Sequence, residues 1–330
     1  MKSNPLISII MPAKNAGIFL PECLDSIINQ TYKNWELIVC NDHSTDNTLK
    51  ILNQYQLKYA DKIKVVQNNG NGIIDALNTA YNLSKGDFIT RMDADDIMPL
   101  NKLKSLITPL LYSDKTLTTG YVKYFSENGI SDGYKKYEKW LNSLVDNQSH
   151  FNELYKECVI PSPCWMISKG DFELCGAFRN DLYPEDYDLC FRFYENNIKV
   201  IGIKEVLHLW RDHQNRSSRT DENYKDNRFL KLKMHYFLKN DYHPKLPLYL
   251  ISAGKKSKII AKHLIEKNIP FKWLTNNPKK IGQNIYGKTI ENISLIKTVS
   301  KAQCLVAIAS PSEQKEVKKL LPHLTAYFVC

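Results

Sequence analysis

The first hundred residues alternate short apolar runs with amphipathic ones, and the apolar runs end in acidic residues. Leu6–Met11, Trp35–Cys40, Ile63–Gln67 and Gly86–Met92 read as buried strands. Pro21–Asn29, Thr48–Tyr59 and Ile73–Leu83 carry helical spacing between them. Strands separated by helical runs predict a parallel sheet with helices on both faces. In such sheets ligands bind at the carboxyl ends of the strands. Two of these strands run into Asn41-Asp42 and Asp93-Ala94-Asp95-Asp96, which points to a site at that edge.

The stretch from about Leu100 to Asn240 is less regular and holds many of the aromatics. Within it, Pro184-Glu185-Asp186-Tyr187-Asp188 opens a helix running to Glu195. A boundary falls at Asp241–Pro247, and strand–helix alternation restarts at Leu248. The reading is therefore an α/β protein with a large domain over residues 1–240 and a small Rossmann-like α/β domain over 245–330. The turn Ser252-Ala253-Gly254-Lys255-Lys256 has the position of a dinucleotide-binding loop. It carries a single glycine and two lysines where G-x-G-x-x-G needs close backbone approach, which argues against NAD.

No stretch approaches the ~18 apolar residues of a membrane span, and the apolar run at the N-terminus is too short for a signal peptide. The expected location is the cytoplasm, peripheral at most to the inner membrane surface. None of the eight cysteines forms a CxxC pair, so free buried thiols are expected and zinc or dithiol chemistry is not. The net charge of +10 is concentrated: between Lys225 and Lys288 there are 15 Lys plus Arg against 3 Asp plus Glu. That stretch is either a solvated surface or a site of attraction to an anionic lipid, glycan or nucleic acid.

Asp93 and Asp95, one residue apart beyond a strand, can both reach a divalent cation. Oxygen donors suit Mg²⁺ or Mn²⁺, which bind through few carboxylates plus substrate phosphates. Asp42 is placed to accept a hydrogen bond from a nucleotide base or to close an Asx-turn. Asp186 sits where a carboxylate either caps a helix or, held ionised there, acts as a base.

Four segments then occur in a telling order. They are Ser8-Ile9-Ile10-Met11-Pro12-Ala13-Lys14-Asn15 with Trp35–Asp46; Gly86–Asp96; Pro184–Leu189; and Leu209-Trp210-Arg211-Asp212-His213 with Ser217. Together, over residues 1 to about 220, they resemble the family 2 glycosyltransferases. The resemblance implies a GT-A fold, a nucleotide-diphosphate sugar donor, commonly UDP-linked, and inversion at the anomeric carbon of a hexose-type sugar. By position it implies that Pro12 and Asn15 line the nucleoside pocket and that Asp42 contacts the base. It implies that Asp93 and Asp95 hold nucleotide and metal, and that Asp186 deprotonates the acceptor with Glu185 beside it. It brings Arg211 and His213 to the diphosphate or metal, or gives them a structural role. The chain departs from the pattern at Asn41, where the family often has Asp, and at His43, where it often has Gly.

A looser resemblance, extending over most of the chain through Tyr137–Asn142, Pro184–Asp186 and Ala253–Lys255, is to queuosine-tRNA galactosyltransferases. The acceptor expectations are accordingly a surface polysaccharide or lipid-linked glycan, with the basic stretch on anionic membrane, or tRNA, with that stretch on phosphates. A non-catalytic nucleotide-sugar or RNA binder is the reading from another class; the full set Asp42, Asp93, Asp95 and Asp186 argues for catalysis.

Overall fold

A computed structural model describes residues 4–127, 129–179, 182–214, 216 and 229–330. The chain separates into two compact units: Met1–Asn152 with Val159–Thr220, and Glu153–Cys158 with Asp221–Cys330.

The first unit opens with β1 (Ile7–Ala13), α1 (Leu20–Ile28), β2 (Trp35–Asn41), α2 (Thr48–Lys58), β3 (Ile63–Gln67), α3 (Ile73–Tyr81) and β4 (Phe88–Arg91). Ile7, Ile9, Ile10 and Met11 of β1 are all fully buried, as expected of a strand covered on both faces. Helix α1 turns Leu20, Cys23, Leu24 and Ile27 inward at helical spacing, and α3 does the same with Ala76, Leu77 and Ala80. The unit continues with α4 (Lys102–Leu110), β5 (Thr116–Phe125), α5 (Asp132–Asn147), β6 (Trp165–Ser168), α6 (Lys169–Leu174), α7 (Glu185–Glu195) and β7 (Lys199–Arg211).

The seven strands lie in the order β3-β2-β1-β4-β6-β5-β7. The expectation of a parallel sheet holds for β1 to β4. It fails at β6, which runs antiparallel to both β4 and β5. The register of the parallel β5–β7 pair shifts on either side of Tyr121. Gly120 is required there: a Cβ on it would lie 2.6 Å from Leu207 Cδ1 and 2.8 Å from Cγ. Such bulges bend a strand and re-aim its end, and here the end is Arg211. Beyond β4, Ile97 and Leu209 exchange both main-chain hydrogen bonds at 3.1 Å, which fastens the Asp93–Asp96 segment to β7.

The second unit holds α8 (Phe229–Tyr236), β8 (Leu248–Ile251), α9 (Lys255–Glu266), β9 (Lys272–Thr275), β10 (Asn284–Ile285), β11 (Lys288–Asn292), β12 (Gln303–Val306), α10 (Pro311–Leu320) and β13 (Thr325–Phe328). Its sheet has the order β10-β11-β9-β8-β12-β13, parallel except for the β10–β11 hairpin. That is a Rossmann-like α/β unit. Its core joins Ile251, Leu274, Ile296, Cys304, Val306 and Val317. No described helix is long and apolar enough to cross a membrane. All eight cysteines are free, and all but Cys330 are buried.

Candidate active site

The sheet order sets β2 and β4 on either side of β1. Asp42 and Asp93, which follow β2 and β4, therefore flank the carboxyl end of β1 with its own trailing residues Lys14 and Asn15. Asp42 is buried. Its Oδ1 accepts from Asn68 Nδ2 at 2.7 Å and from the Gly72 amide at 3.1 Å; its Oδ2 accepts from Lys14 Nζ at 3.1 Å. Burial alone would push this carboxyl up, but the hydrogen bonds from Asn68, Lys14 and Gly72 outweigh it and hold Asp42 ionised below the ordinary range.

Around Asp42 the departures from the family pattern have local uses. Asn41 is buried and donates through Nδ2 to Gln67 Oε1 at 2.8 Å. Its Oδ1 has no partner within the described structure. His43 sits in the left-handed region, at φ 52°, and its Nε2 lies 2.8 Å from the Gly70 carbonyl. It thereby pins the Asn68–Gly72 loop that cages Asp42. Pro12 pairs with Cys40 near the end of β1. Asn15, also left-handed at φ 47°, accepts the Thr45 amide on its Oδ1 at 2.8 Å. Asn15 thereby braces the Ser44–Thr45 turn.

Asp93 and Asp95 face different partners. Asp93 Oδ1 accepts from Arg91 Nε at 2.9 Å, and Arg91 Nη1 donates to Glu185 Oε1 at 2.9 Å. Arg91 and Glu185 are both buried, so this bridge ties the β4 segment to the first turn of α7 across 94 residues of sequence. Asp95 Oδ2 lies 2.8 Å from His213 Nε2. Burial pushes Asp95 up, but His213's hydrogen bond and the Arg216 charge bring it below the ordinary range. Arg211 donates through Nε to the Asp95 carbonyl at 2.7 Å and through Nη2 to Glu22 at 2.5 Å. Its guanidinium lies over Phe19 and Phe125, 4.9 and 4.5 Å from the ring centres. The last segment thus meets the Asp93–Asp96 segment through Arg211 and His213; Ser217 lies outside the described residues.

Asp186 is half-buried in the first turn of α7. Its Oδ1 accepts the Tyr187 amide at 2.7 Å. Burial and the neighbouring Glu185 charge push its carboxyl up to about 7, against the attraction of Arg91. It lines a small cavity of about 10 Å³, the room of roughly one water molecule, together with Arg91, Ser162, Trp165, Phe178 and Glu185 among others.

A family model, glycosyl transferase family 2, matches residues 8–175, which is half of the chain. The chain belongs to that family. One relative of this glycosyltransferase is the UDP-Glc:alpha-D-GlcNAc-diphosphoundecaprenol beta-1,3-glucosyltransferase WfgD of Escherichia coli. The two are 31% identical over 242 residues, covering 72% of this chain and 86% of that one. Among solved structures, S. aureus TarS 1-349 in complex with UDP-GlcNAc is similar with a TM-score of 0.55 at 21% identity, over 78% of this chain and 71% of TarS 1-349. The mannosyltransferase PcManGT from Pyrobaculum calidifontis, in complex with GDP-Man and Mn²⁺, gives 0.53 at 18% identity, over 72% of this chain and 64% of that one. These likenesses fix the glycosyltransferase fold of the first unit as GT-A.

Several residues around the candidate site of this glycosyltransferase escape a reading of sequence. Asn68, which helps set the state of Asp42, lies in a polar loop without distinguishing signal. Arg91 did leave one: a cation in the apolar run Phe88-Ile89-Thr90-Arg91-Met92 is seldom buried without a partner. Lys102 and His208, both fully buried, left none.

Proposed function

We propose that this glycosyltransferase moves a hexose from a UDP-linked donor to a hydroxyl of a lipid-linked or surface glycan, with inversion at the anomeric carbon. The observation that carries the reading is the Arg91 bridge. It joins the segment of the donor carboxylates Asp93 and Asp95 to the helix start that carries Asp186. The named activity of the E. coli relative, with its UDP-Glc donor and diphosphoundecaprenol-linked acceptor, supports the choice of donor and acceptor. On this reading the catalytic domain spans residues 1–240 and the small domain 245–330, whereas the compact units part at Thr220 and Asp221.

In this reading Asp42 accepts a hydrogen bond from the uracil ring, and Pro12 and Asn15 line the nucleoside. A divalent metal fits the donors present: a carboxylate oxygen of Asp95 and the imidazole of His213 already converge, with Asp93 on the same segment, and Mn²⁺ or Mg²⁺ accepts such oxygen and nitrogen ligands. Among the described residues no three His, Cys, Asp or Glu side chains form a ready cage, so Asp95 and His213 would hold the metal only together with donors from outside the protein. When bound, the metal offsets charge on the departing diphosphate. Arg211 orients the segment through the Asp95 carbonyl. Asp186 takes the proton of the acceptor hydroxyl as its oxygen attacks from the face opposite the diphosphate. Glu185, occupied by Arg91, positions Asp186 rather than sharing the proton. The lysine-rich stretch between 225 and 288 holds the protein to anionic lipid.

A base must be deprotonated to act. With Asp186 at about 7, kcat/KM is expected to rise with pH below that value and level off above it. A pH series at saturating metal checks this, and an acid limb centred near an ordinary aspartate, ~4, would assign the base elsewhere. The acceptor is tested by supplying labelled UDP-hexose with diphosphoundecaprenol-linked sugars, polysaccharide or queuosine-containing tRNA. Transfer to the lipid-linked sugar is expected. Transfer to tRNA alone would replace the acceptor half of the reading.

A further inference from the structure

Beneath the Asp93–Asp96 segment runs a line of buried polar side chains that no step above uses. Lys102, the first residue of α4, is fully buried. Its ammonium donates to the Pro163 carbonyl at 2.5 Å and to His208 Nδ1 at 3.1 Å. His208, in β7, is fully buried as well, and its Nε2 lies 2.8 Å from Asp96 Oδ2. The other oxygen of Asp96 accepts the Arg211 amide at 2.8 Å. With Lys102 as an ammonium, which has only donors, His208 accepts at Nδ1 and donates from Nε2, although burial lowers the Lys102 ammonium and raises the Asp96 carboxyl from their ordinary ranges. The hydrogen bonds therefore run in one direction, from Lys102 through His208 to Asp96. Burial, reinforced by the Lys102 charge, holds His208 well below the ordinary imidazole range, so it is neutral.

Simple packing does not call for such a line. A fully buried lysine is among the rarest of core residues and costs free energy unless it is well bonded. Its far end, moreover, touches the two segments that carry the donor residues. Asp96 is next to Asp95, and the amide it accepts belongs to Arg211, two residues before His213. The main-chain bridge between Ile97 and Leu209 sets the spacing of these segments. The side-chain line adds a fixed orientation to them.

We propose that Lys102 and His208 are positioning residues which, through Asp96, hold Asp95 and His213 at 2.8 Å and thereby set the affinity of the site for a divalent metal with a nucleoside diphosphate. The proposal rests on the reading above that Asp95 and His213 hold that metal. Outer partners of this kind orient ligands they never replace, and their loss costs about 10- to 100-fold in metal affinity or activity.

The test is calorimetric titration of UDP into the full-length chain at a series of Mn²⁺ concentrations, for the unsubstituted protein, Lys102→Met, His208→Gln and the double variant. The half-saturating Mn²⁺ concentration is expected to rise about 10- to 100-fold in each single variant. The double variant is expected to add little, because one line is broken twice. Uridine binding without metal, which reads the Asp42 pocket, stays unchanged. Should Lys102→Met fail to fold, Asp96→Asn carries the same expectation: it keeps the acceptor for Arg211 but sets an amide donor against the His208 N–H. Variants that unfold at lower temperature yet keep the unsubstituted Mn²⁺ dependence would reduce the line to a structural brace and overturn the proposal alone. Absence of any Mn²⁺ dependence in the unsubstituted chain would overturn the metal reading, and the proposal with it.

Discussion

Asp186→Asn is expected to lower kcat by about 10²- to 10⁴-fold while donor binding and the unfolding temperature stay near those of the unsubstituted protein. The substitution keeps the shape of the side chain, and its Oδ1 still accepts the Tyr187 amide that Asp186 accepts at 2.7 Å, so the start of α7 is preserved. What is lost is the ability to take a proton. Glu185 offers no substitute, because its carboxylate is buried and committed to Arg91 at 2.9 Å. The acid limb of the pH profile is expected to disappear with the turnover. Steady-state rates across pH, beside thermal unfolding, provide the check. Near-normal turnover in the Asn variant would leave Asp186 as a helix cap and nothing more.

Arg91→Met is expected to cost about 3–5 kcal/mol of stability, the usual consequence of removing one partner of a buried pair. The guanidinium and the Glu185 carboxylate are each only 5% exposed. Methionine fills much of the space but leaves Glu185 charged, buried and unpaired, and frees Asp93 from its 2.9 Å contact. A second substitution distinguishes charge from packing. In Arg91→Met with Glu185→Gln, the uncompensated charge is gone, and most of the loss is expected to return. Denaturant unfolding of the single and double variants measures both terms. A loss below about 1 kcal/mol for Arg91→Met would mean that the bridge behaves as a surface pair does.

The legible parts of the fold are those where the hydrophobic pattern is simple. Strands β1 to β4 are apolar runs bounded by polar turns, and their helices show clear inward faces, so sequence placed them within a few residues. Strand β5 was hidden by its chemistry. Thr116, Thr118 and Thr119 are buried, and a run of threonines reads as polar. Their hydroxyls are satisfied inside: Thr118 donates to the Leu106 carbonyl at 2.8 Å and Thr119 to the Cys164 carbonyl at 2.6 Å. Strand β6, four residues long and antiparallel, carries no local mark of its direction, which depends on pairing with β4 and β5. In the second unit the short strands β10, β11 and β13 likewise carry no clear mark in the sequence.

The candidate site divides in the same way. Carboxylates at strand ends are visible because the position itself is unusual. Their partners are not, because the contacts span long separations: Arg91 meets Glu185 across 94 residues, and Lys102 meets His208 across 106. A lysine at the start of an amphipathic helix looks solvent-facing until the fold buries it. The Asp42 cage shows the same limit. Asn68 and Gly72 belong to a polar loop, and only the β2–β3 pairing brings them to the carboxylate.

The most direct measurement is calorimetric titration of UDP-, GDP- and TDP-sugars into the protein, each with and without Mn²⁺, with hydrolysis of each sugar followed in parallel. Binding of the UDP-linked donors that strengthens with Mn²⁺, accompanied by slow hydrolysis, is the expected result. Failure of every nucleotide sugar to bind, with metal or without, would contradict a donor site at Asp42, Asp93 and Asp95.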